Sequence, residues 1–373
     1  MKIAWIVPGG VDRSGERRVI PCLLWIIERI ARVHDVHVFV LGQEPRRCRY
    51  RLAGAQVRNA GGFATRLQLL ADVWGEHRRE PFDLIHAVWA APPGALAALL
   101  GRLLNVPVLL RLTGGDLAAL PHIGYGQRAS WRGRWWLKAA VAGASHVVVP
   151  SGAMRSAAEA LGIRAERLPW GVALDRWPPR APRPRRPGAA ARLAHVASLN
   201  RVKDQATLLQ AAKVLADHGI GFHLDIVGED TLRGEVQRVA ASLGLGPLVQ
   251  FHGFLVQDQV RKIVCGADML VVSSLHEADP IVALEAAISG TPVVGTAVGH
   301  LDDWAPEAAL VVSPGNAEGL AGAIKTLLND DPRRLAIAAA AQARALSEDA
   351  DWSARQVLAI YERLTSSTPA PSN

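Results

Sequence analysis

The sequence predicts an α/β protein built from two doubly wound domains, each with a mostly parallel sheet. Short β-branched runs alternate with longer helical patterns along the chain, as they do in consecutive βαβ units. The alternation occurs twice, before and after a proline- and arginine-rich stretch at residues 177–192. The chain has 373 residues, more than a single hydrophobic core usually supports, so two cores are expected.

The first half contains five apolar runs that are typical of buried strands. These runs are KIAWIV, VHVFVL, DLIHAV, VPVLLRL and SHVVVP. Helical patterns lie between them, near 17–33, 63–79, 93–104 and 129–144. Because helices separate the strands, the strands should pair in parallel and be covered on both faces, which predicts one domain over residues 1–176.

The segment 177–192, WPPRAPRPRRPGAAAR, is predicted to be the interdomain linker, because its prolines exclude a helix or an interior strand. The alternation then resumes and predicts a second domain over residues 193–346. Its strands are LAHVAS, FHLDIVG, LVQFHG, MLVVSS, PVVGT and ALVVS, and its helices lie near 204–217, 231–243, 256–265, 280–289 and 316–329. Residues 347–373 are expected to form a helix that packs back on the first domain, followed by a disordered tail.

Several features predict a cytoplasmic protein. No stretch of about 20 apolar residues lacks a charge, and the N-terminus opens as a strand running into glycines rather than as a signal peptide. Cys22, Cys48 and Cys265 are scattered singly, without a CxxC pair, which fits a reducing compartment and argues against a zinc site.

Basic and aromatic residues are concentrated in the first half of the chain. Residues 1–188 carry 28 Lys and Arg against 13 Asp and Glu, whereas the remainder carries 14 against 21. The same first part holds nine of the eleven tryptophans. This combination indicates an approach to something anionic, either a membrane surface or nucleic acid, and solubility alone is the alternative.

The segment RASWRGRWWLKAA, residues 128–140, is the most concentrated part of this pattern. On a predicted helix, Trp131 and Trp135 share a face, and so do Arg128 and Arg132. With Trp136 and Arg134, they suit an anionic membrane surface that has tryptophans at its interface. The alternative is that the tryptophans face the core and the arginines form a solvated rim.

Two glutamates lie eight positions apart in HEADPIVALEAAISGTPVVGTAVGH, residues 276–300. Glu277 follows a predicted strand, and Pro280 suits the first turn of the next helix because its missing N–H would be unpaired there. The free N–H groups of that turn could receive a phosphate, and Glu285 could accept hydrogen bonds from a pair of sugar hydroxyls. The alternative is a surface loop glutamate and a helix glutamate that meets a lysine.

The spacing of Glu277 and Glu285 matches an E-x7-E motif, and the chain resembles glycosyltransferase family 4, a group of retaining, sugar-nucleotide-dependent enzymes. Five further segments in the same order carry the resemblance. They are PGGVDRSGERR, LRLTGGDL, LPWGVALDRWPP, VASLNRVKDQATLLQA and SGTPVVGTAVGH. The resemblance covers nearly the whole chain and implies the GT-B fold, in which two Rossmann-like domains face a cleft.

The resemblance implies a role for individual residues. Lys203 would donate to the diphosphate of the nucleotide sugar and neutralise charge on the leaving group. Glu277 would lie against the donor sugar and Glu285 against the ribose. Gly9 and Gly10 would let the backbone approach the phosphate or the acceptor. A solvated lysine at a helix start, and a simple strand-to-helix turn at the glycines, are the alternatives.

Further donor contacts are implied around the same helix. The N–H groups of Ile281 and Val282, which follow Pro280, would receive the phosphate. Leu255, in HGFL, matches the position whose backbone reads the base, and a plain core leucine is the alternative. Asp279, which stands where the family has an aromatic residue, would place a third carboxylate near the donor sugar and could select the sugar.

Two departures affect the candidate site. Ser198 stands where the family has an arginine before the lysine, so Arg201 or Asn200 must supply that phosphate contact. Thr113 replaces the histidine of the H-G-x-D segment, while Asp116 remains. Asp116 could orient an acceptor or a donor hydroxyl as a catalytic group, and a loop aspartate that caps the next helix is the alternative.

The resemblance also implies a mechanism and partners. The leaving phosphate would take the acceptor proton, so no nucleophilic carboxylate is needed. The acidic pair Asp302 and Asp303 suits a helix start rather than a metal site, so the expected reaction is metal-independent and uses no cofactor. The expected partners are a UDP-, GDP- or ADP-sugar and a glycan or lipid-linked acceptor, without nucleic acid. The alternative is a catalytically inactive scaffold that uses the basic half to bind nucleic acid or membrane.

Overall fold

The computed structural model describes residues 1–62 and 64–366, and the chain divides into two compact units. Unit 1 comprises Met1–Gly171 together with the chain from Ala350 onward, and unit 2 comprises Val172–Asp349. The tail at 367–373, predicted to be disordered, lies outside the described residues.

Unit 1 is built on an eight-stranded sheet. Its strands are β1 (Lys2–Val7), β2 (Asp35–Val40), β3 (Cys48–Leu52), β4 (Ala55–Asn59), β5 (Leu84–Val88), β6 (Val108–Arg111), β7 (His146–Val149) and β8 (Glu166–Arg167). Their order is β3-β4-β2-β1-β5-β6-β7-β8, and only the β3–β4 pair is antiparallel. Every residue of β1 is buried, as expected for a central strand that is covered on both faces.

Helices cover both faces of this sheet. They are α1 (Pro21–Ala31), α2 (Thr65–Arg79), α3 (Ala95–Leu104), α4 (Trp131–Ala142) and α5 (Gly152–Glu159). The chain leaves β1 in one direction and β5 in the other, so right-handed crossovers put α1 and α3 on opposite faces. Helices α2, α3 and α4 pack side by side.

Unit 2 contains a six-stranded, wholly parallel sheet. Its strands are β9 (Ala191–Val196), β10 (Phe222–Val227), β11 (Val249–Gly253), β12 (Met269–Val272), β13 (Val293–Thr296) and β14 (Leu310–Val312). Their order is β11-β10-β9-β12-β13-β14. The helices are α6 (Gln205–Asp217), α7 (Glu235–Ser242), α8 (Gln257–Gly266), α9 (Ile281–Ile288), α10 (His300–Trp304), α11 (Ala317–Asn329) and α12 (Asp331–Ser347).

The last helix, α13 (Ala350–Ser366), belongs to unit 1 and packs against α1. The Nε of Arg29 lies 2.7 Å from Asp351 Oδ1, and the buried hydroxyl of Tyr361 lies 2.7 Å from Nδ1 of His86. The chain after unit 2 thus returns to the first unit through polar contacts as well as apolar packing.

The predicted linker 177–192 differs most from expectation. The boundary falls between Gly171 and Val172, and the proline-rich segment is part of unit 2. Trp177 is completely buried and its Nε1 donates to Ser289 Oγ at 2.6 Å, while Arg183 donates to the carbonyl oxygen of Gly266 at 2.6 Å. Proline prevents regular structure here, but its neighbouring side chains still anchor the segment along unit 2.

The structure also contains a hairpin that the pattern did not predict. Strands β3 and β4 are joined by Ala53 and Gly54, both with positive φ, as a two-residue turn requires. The arginines of β3 alternate with half-buried residues, so the strand lacks the apolar run by which the others were recognised.

Candidate functional site

The candidate residues of unit 2 lie at the point where the chain direction across its sheet reverses. Strands β9 and β12 are neighbours, yet the chain continues from β9 toward β10 and from β12 toward β13. The loops at the carboxyl ends of two such strands diverge and leave a crevice for ligands. Here the two loops are joined by hydrogen bonds from Leu275 N–H to Val202 O and from Ser273 Oγ to Lys203 O, both 2.8 Å.

Lys203 and Glu277 form an ion pair across these loops. The Nζ of Lys203 lies 2.5 Å from Oε1 of Glu277, and Ser274 Oγ donates to the same carboxylate oxygen at 2.7 Å. The two side chains are 25% and 13% exposed. Lys203 is therefore mostly covered and held by a carboxylate, unlike a freely solvated lysine.

Two local caps fix the backbone of Lys203. The residue ends a 3₁₀ turn, Arg201–Lys203, in which Asn200 Oδ1 accepts from the Lys203 N–H at 3.2 Å. Asp204 follows with φ 48° and starts α6 by accepting from the N–H of Thr207. Asn200, one of the two residues considered for the phosphate contact, thus serves as a cap in this state.

Arg201, the other residue considered, is engaged elsewhere. Its guanidinium makes two bonds to the carboxylate of Glu235 on α7, at 2.6 and 2.8 Å. Both side chains are exposed, so the pair contributes little stability and could exchange for a bound anion. Ser198 contributes its carbonyl oxygen, which accepts from Gln205 Nε2 at 3.2 Å.

A buried histidine beneath the ion pair was missed by the sequence reasoning. Burial, together with the charge of Lys203, lowers the pKa of His195 to about 4, so the imidazole is neutral near pH 7. In the neutral form Nδ1–H donates to the Val271 carbonyl at 2.9 Å and Nε2 accepts from Gln205 Nε2 at 3.2 Å. A single histidine within an apolar strand gives no sequence signal for this position or for these hydrogen bonds.

The helix behind Glu277 begins one residue later than predicted. Pro280 is the N-cap of α9 rather than a residue of its first turn, and its carbonyl accepts from the Ala283 N–H at 2.8 Å. Ile281 and Val282 are the first two helical residues, whose N–H groups have no acceptor within a helix. These are the two N–H groups predicted to receive phosphate.

The side chain of Glu285 is buried in α9. Within the described residues it has one hydrogen-bond partner. Gln257 Nε2, at the start of α8, lies 3.3 Å from Glu285 Oε1, and the glutamate is 7% exposed. Burial raises the pKa of Glu285 to about 8, so the carboxyl is mostly protonated near pH 7. Gln257 was not identified from the sequence. Leu255 lies half-buried in the loop before α8, so it is not a fully buried core leucine.

Asp279 is paired with a histidine that the sequence reasoning also missed. The Nδ1 of His300, the first residue of α10, lies 2.5 Å from Asp279 Oδ1, and both side chains are buried. Gly299 has φ 54°, and a Cβ there would lie 2.9 Å from Pro280 Cδ and 3.1 Å from the Ala278 oxygen. The start of α10 therefore supports the segment that leads into α9.

Gly9 and Gly10 lie in unit 1, in the loop after β1. Gly10 has φ 83°, and its N–H donates to Gln43 Oε1 at 2.8 Å. A Cβ at Gly10 would lie 2.5 Å from Cδ1 of Ile20, whereas one at Gly9 would meet only Gln43 Oε1 at 3.5 Å. The tight turn accounts for Gly10, whereas a side chain at Gly9 would make only an ordinary contact with Gln43.

Asp116 is completely buried in the loop after β6. Its Oδ2 accepts from the N–H groups of Thr113 at 3.0 Å and Ala90 at 3.1 Å, and burial raises its pKa to about 7. The buried Oδ1 has no hydrogen-bond partner within the described chain. Asp116 joins the loops after β5 and β6, and a catalytic role for it stays a prediction.

The aromatic segment forms an exposed helix face. Ser130 Oγ caps α4 by accepting from the Gly133 N–H at 3.0 Å, and Trp131 and Trp135 are exposed rather than core-facing. Arg128 lies in a 3₁₀ turn before α4, so its predicted helical pairing with Arg132 is wrong. The polar cap at Ser130, not the basic pattern, determines where the helix begins.

Two kinds of feature are absent from the described residues. Within residues 1–62 and 64–366, no helix combines the length and apolarity that a bilayer crossing requires. Across these same described stretches, His, Cys, Asp and Glu side chains form no group of three or more that could hold a metal ion.

Solved structures with the same architecture define the fold class. Sucrose-phosphate synthase from Thermosynechococcus elongatus superposes with a TM-score of 0.82 at 19% identity, covering 98% of this chain and 100% of that one. Anabaena Alr3699/HepE, solved in complex with UDP and glucose, superposes with a TM-score of 0.76 at 20% identity, with the same coverage. The fold is that of the GT-B glycosyltransferases.

Family comparisons divide at the same place as the two units. A glycosyl transferase 4-like domain matches residues 20–171, within unit 1, and the glycosyl transferases group 1 family matches residues 182–344, within unit 2. Together the two matches span most of the chain. The chain therefore belongs to the family 4-type glycosyltransferases.

Curated relatives match over shorter stretches. The 2-deoxystreptamine glucosyltransferase of Streptomyces kanamyceticus is 34% identical over 124 residues, 33% of this chain and 32% of that protein. The putative teichuronic acid biosynthesis glycosyltransferase TuaC of Bacillus subtilis is 30% identical over 253 residues, 65% of this chain and 60% of that protein. The chain thus spans between 32% and 60% of these relatives' length. The matches give no support to an inactive scaffold or a nucleic-acid-binding protein.

Proposed function

We propose that this protein transfers a sugar from a nucleotide-sugar donor to a glycan or lipid-linked acceptor in polysaccharide or glycoconjugate biosynthesis. The main supporting observation is the cluster beyond β9 and β12, where the chain direction across the sheet of unit 2 reverses. In this cluster the Lys203–Glu277 pair lies beside the start of α9. A cation and free helix N–H groups suit a diphosphate, and a carboxylate suits sugar hydroxyls. A UDP-sugar is the first donor to test among UDP-, GDP- and ADP-sugars, because the similar HepE structure contains UDP and glucose.

In the proposed reaction Lys203 turns from Glu277 toward the diphosphate. A diphosphate carries more negative charge than one carboxylate, so it competes well for the ammonium group. Ser274 still donates to Glu277, which keeps that carboxylate in place to accept from donor-sugar hydroxyls. The N–H groups of Ile281 and Val282 bind the same phosphate with the positive end of the α9 dipole. Charge on the leaving group is thereby stabilised by the protein itself.

The finer features of this reaction are also proposed. The anomeric configuration is retained, the leaving phosphate takes the acceptor proton, and neither a metal nor another cofactor takes part. Glu285 accepts from the ribose hydroxyls, with Gln257 donating to its carboxylate. The loop at Leu255 contacts the base, Arg201 exchanges Glu235 for phosphate, and Asp279 influences the choice of sugar.

Unit 1 is proposed to serve the acceptor. Gly9 has no side chain to cover its backbone, Gly10 shapes the same turn, and Asp116 organises the loops after β5 and β6. We place the protein in the cytoplasm, at the inner face of the cell membrane, because α4 exposes Trp131 and Trp135 beside Arg132. That location suits a lipid-linked acceptor.

A thermal-shift titration with UDP, GDP, ADP and their sugars tests the donor site. One nucleotide should raise Tm, since a ligand at 100 times its Kd stabilises the folded protein by about 2.7 kcal/mol. Lys203→Ala and Glu285→Ala should remove the shift. Lys213→Ala, which removes an α6 lysine that pairs with Asp217, should keep it. Absence of any nucleotide-dependent shift in the wild type would contradict the proposal.

A further inference from the structure

Three neighbouring helices of unit 1 each expose a pair of large apolar side chains. Across residues 1–62 and 64–366, nine large apolar side chains are exposed, and six of them lie on α2, α3 and α4. The pairs are spaced four or seven residues apart, so each pair shares one face of its helix. They are Leu67 (71% exposed) and Trp74 (39%) on α2, Leu99 (45%) and Leu103 (57%) on α3, and Trp131 (67%) and Trp135 (58%) on α4.

The three helices are in direct contact, so the six side chains contribute to one surface. The guanidinium of Arg66 on α2 lies 5.3 Å from the ring centroid of Trp136 on α4. A Cβ at Gly143, just after α4, would lie only 2.4 Å from Cβ of Ala98 on α3. We call this surface, made of the exposed residues of α2, α3 and α4, the α2–α4 face.

The α2–α4 face carries positive charge with almost no acidic group to offset it. Between residues 84 and 158 the sequence has one acidic residue, Asp116, and that residue is completely buried. On α2, Asp72 and Glu76 are neutralised by ion pairs, with Arg47 and with Lys2 and Arg58 respectively. The exposed basic side chains of these helices are Arg66, Arg78, Arg79, Arg102, Arg132, Arg134 and Lys138.

The exposed apolar side chains and the positive charge together distinguish between three candidate partners. A second copy of the same face would bring like charges together and be repelled. Nucleic acid would contact the arginines but leave the apolar pairs of α2 and α3 in water. An anionic bilayer accepts both groups at once, because tryptophan and leucine enter the interfacial region while arginine and lysine contact the headgroups.

We infer that the α2–α4 face docks on a bilayer containing anionic lipid. This inference rests on the peripheral attachment in the proposed function and extends it from α4 to three helices. It adds four apolar residues, Leu67, Trp74, Leu99 and Leu103, that no basic or aromatic motif in the sequence indicated. Bilayer contact then depends on a surface shared by three helices, and α4 alone is insufficient.

Flotation with lipid vesicles tests the docking surface on the full-length protein. Vesicles of phosphatidylcholine mixed with phosphatidylglycerol should carry the wild type upward, and vesicles of phosphatidylcholine alone should carry much less. Leu99→Ser combined with Leu103→Ser should weaken binding at least tenfold, although neither leucine belongs to the tryptophan segment. Arg132→Gln with Arg134→Gln should weaken binding to the mixed vesicles and reduce its salt dependence.

The matched controls are exposed apolar residues that lie outside the face. Val33→Ser and Leu346→Ser remove the same kind of exposed side chain and should leave flotation unchanged. Nucleotide-dependent thermal shifts, measured on every variant, should match the wild type, which also verifies that the variants are folded. Failure to bind vesicles would therefore contradict bilayer docking without contradicting the donor site, and the two proposals are tested separately.

Three outcomes would overturn the inference. The first is a wild type that shifts with nucleotide but does not float with the mixed vesicles. The second is equal loss of flotation in Val33→Ser and in the Leu99, Leu103 double variant. The third is a concentration-dependent dimer, or a complex with a random DNA duplex, that the face variants abolish while flotation is unaffected.

Discussion

The Nζ of Lys203 lies 2.5 Å from Oε1 of Glu277, although 74 residues separate them in the chain. The lysine follows β9 and the glutamate follows β12, so their meeting is a consequence of the adjacency of those two strands. In this state each charge neutralises the other, and Ser274 provides a second bond to the carboxylate. A ligand that binds Lys203 in place of Glu277 frees the Glu277 carboxylate, which Ser274 still holds in position.

Lys203→Ala should lower kcat by about 10²–10³, the usual effect of removing one group that stabilises transition-state charge. The substitution also leaves Glu277 without its cation, so the donor should bind more weakly. Steady-state kinetics with the donor identified by thermal shift would measure both effects. A Lys203→Ala enzyme as active as Lys213→Ala would contradict the proposed role.

Nucleotide affinity should rise with pH toward about 8, the pKa of Glu285. Burial favours the protonated acid in the free protein, whereas two ribose hydroxyls need the ionised carboxylate as their acceptor. Below that pKa the ionised fraction, and with it the affinity, should fall by up to about tenfold per pH unit. Calorimetric titrations in buffers between pH 6 and 9 would measure this change in nucleotide affinity. Glu285→Gln should bind weakly with a flat profile, and an unchanged slope in that variant would exclude Glu285 as its source.

Asp116→Asn separates a loop-organising role from a catalytic one. The pKa of Asp116 is about 7 in the folded protein against an ordinary value of 3.8, so the folded state holds a proton that the unfolded state loses. Stability from this group is therefore complete at low pH and decreases as pH rises from about 4 to about 7. The amide has no charge to bury, and its oxygen can still accept from Thr113 and Ala90.

Asp116→Asn should therefore melt higher than the wild type at pH 8 and about equally at pH 4, as measured by calorimetry. Asp116→Ala should destabilise by about 1–3 kcal/mol for each N–H group left without an acceptor. A folded Asn variant that retains transfer activity would show that Asp116 organises loops only. Loss of activity with raised stability would assign it a direct part in the reaction.

Most of the fold could be predicted from the sequence, because its strands are continuous apolar runs and its helices lie between them. Starts and ends depended on caps that involve single polar atoms, as at Ser130 before α4 and Pro280 before α9. The position of 177–192 depended on tertiary partners such as Ser289 for Trp177, which local composition does not contain.

The residues of the candidate site also fall into those that the sequence indicated and those that it did not. Glu277, Glu285 and Lys203 were named as candidates because the segments that contain them resemble family motifs in the same order along the chain. His195 and His300 were not, because each is a lone histidine whose partner comes from another element. Gln257 was equally hidden, since a glutamine at a helix start has many uses and only the fold brings it to Glu285.

Gly299→Ala should disturb the donor site although Gly299 itself is not proposed to bind the donor. Gly299 has φ 54° and ψ −138°, a conformation open essentially to glycine alone, and an added Cβ would lie 2.9 Å from Pro280 Cδ. Relief of that overlap must move the segment Ala278–Pro280 and with it the first N–H groups of α9. We expect a loss of about 1–3 kcal/mol in stability from the strained backbone, and a clear rise in nucleotide Kd.

Gly315→Ala is the matched control, because Gly315 also has positive φ, at 78°, but a Cβ there would meet nothing within 4 Å. That variant should lose stability and keep its nucleotide affinity. Equal nucleotide Kd values for the two alanine variants would mean that Gly299 does not support the phosphate-binding turn.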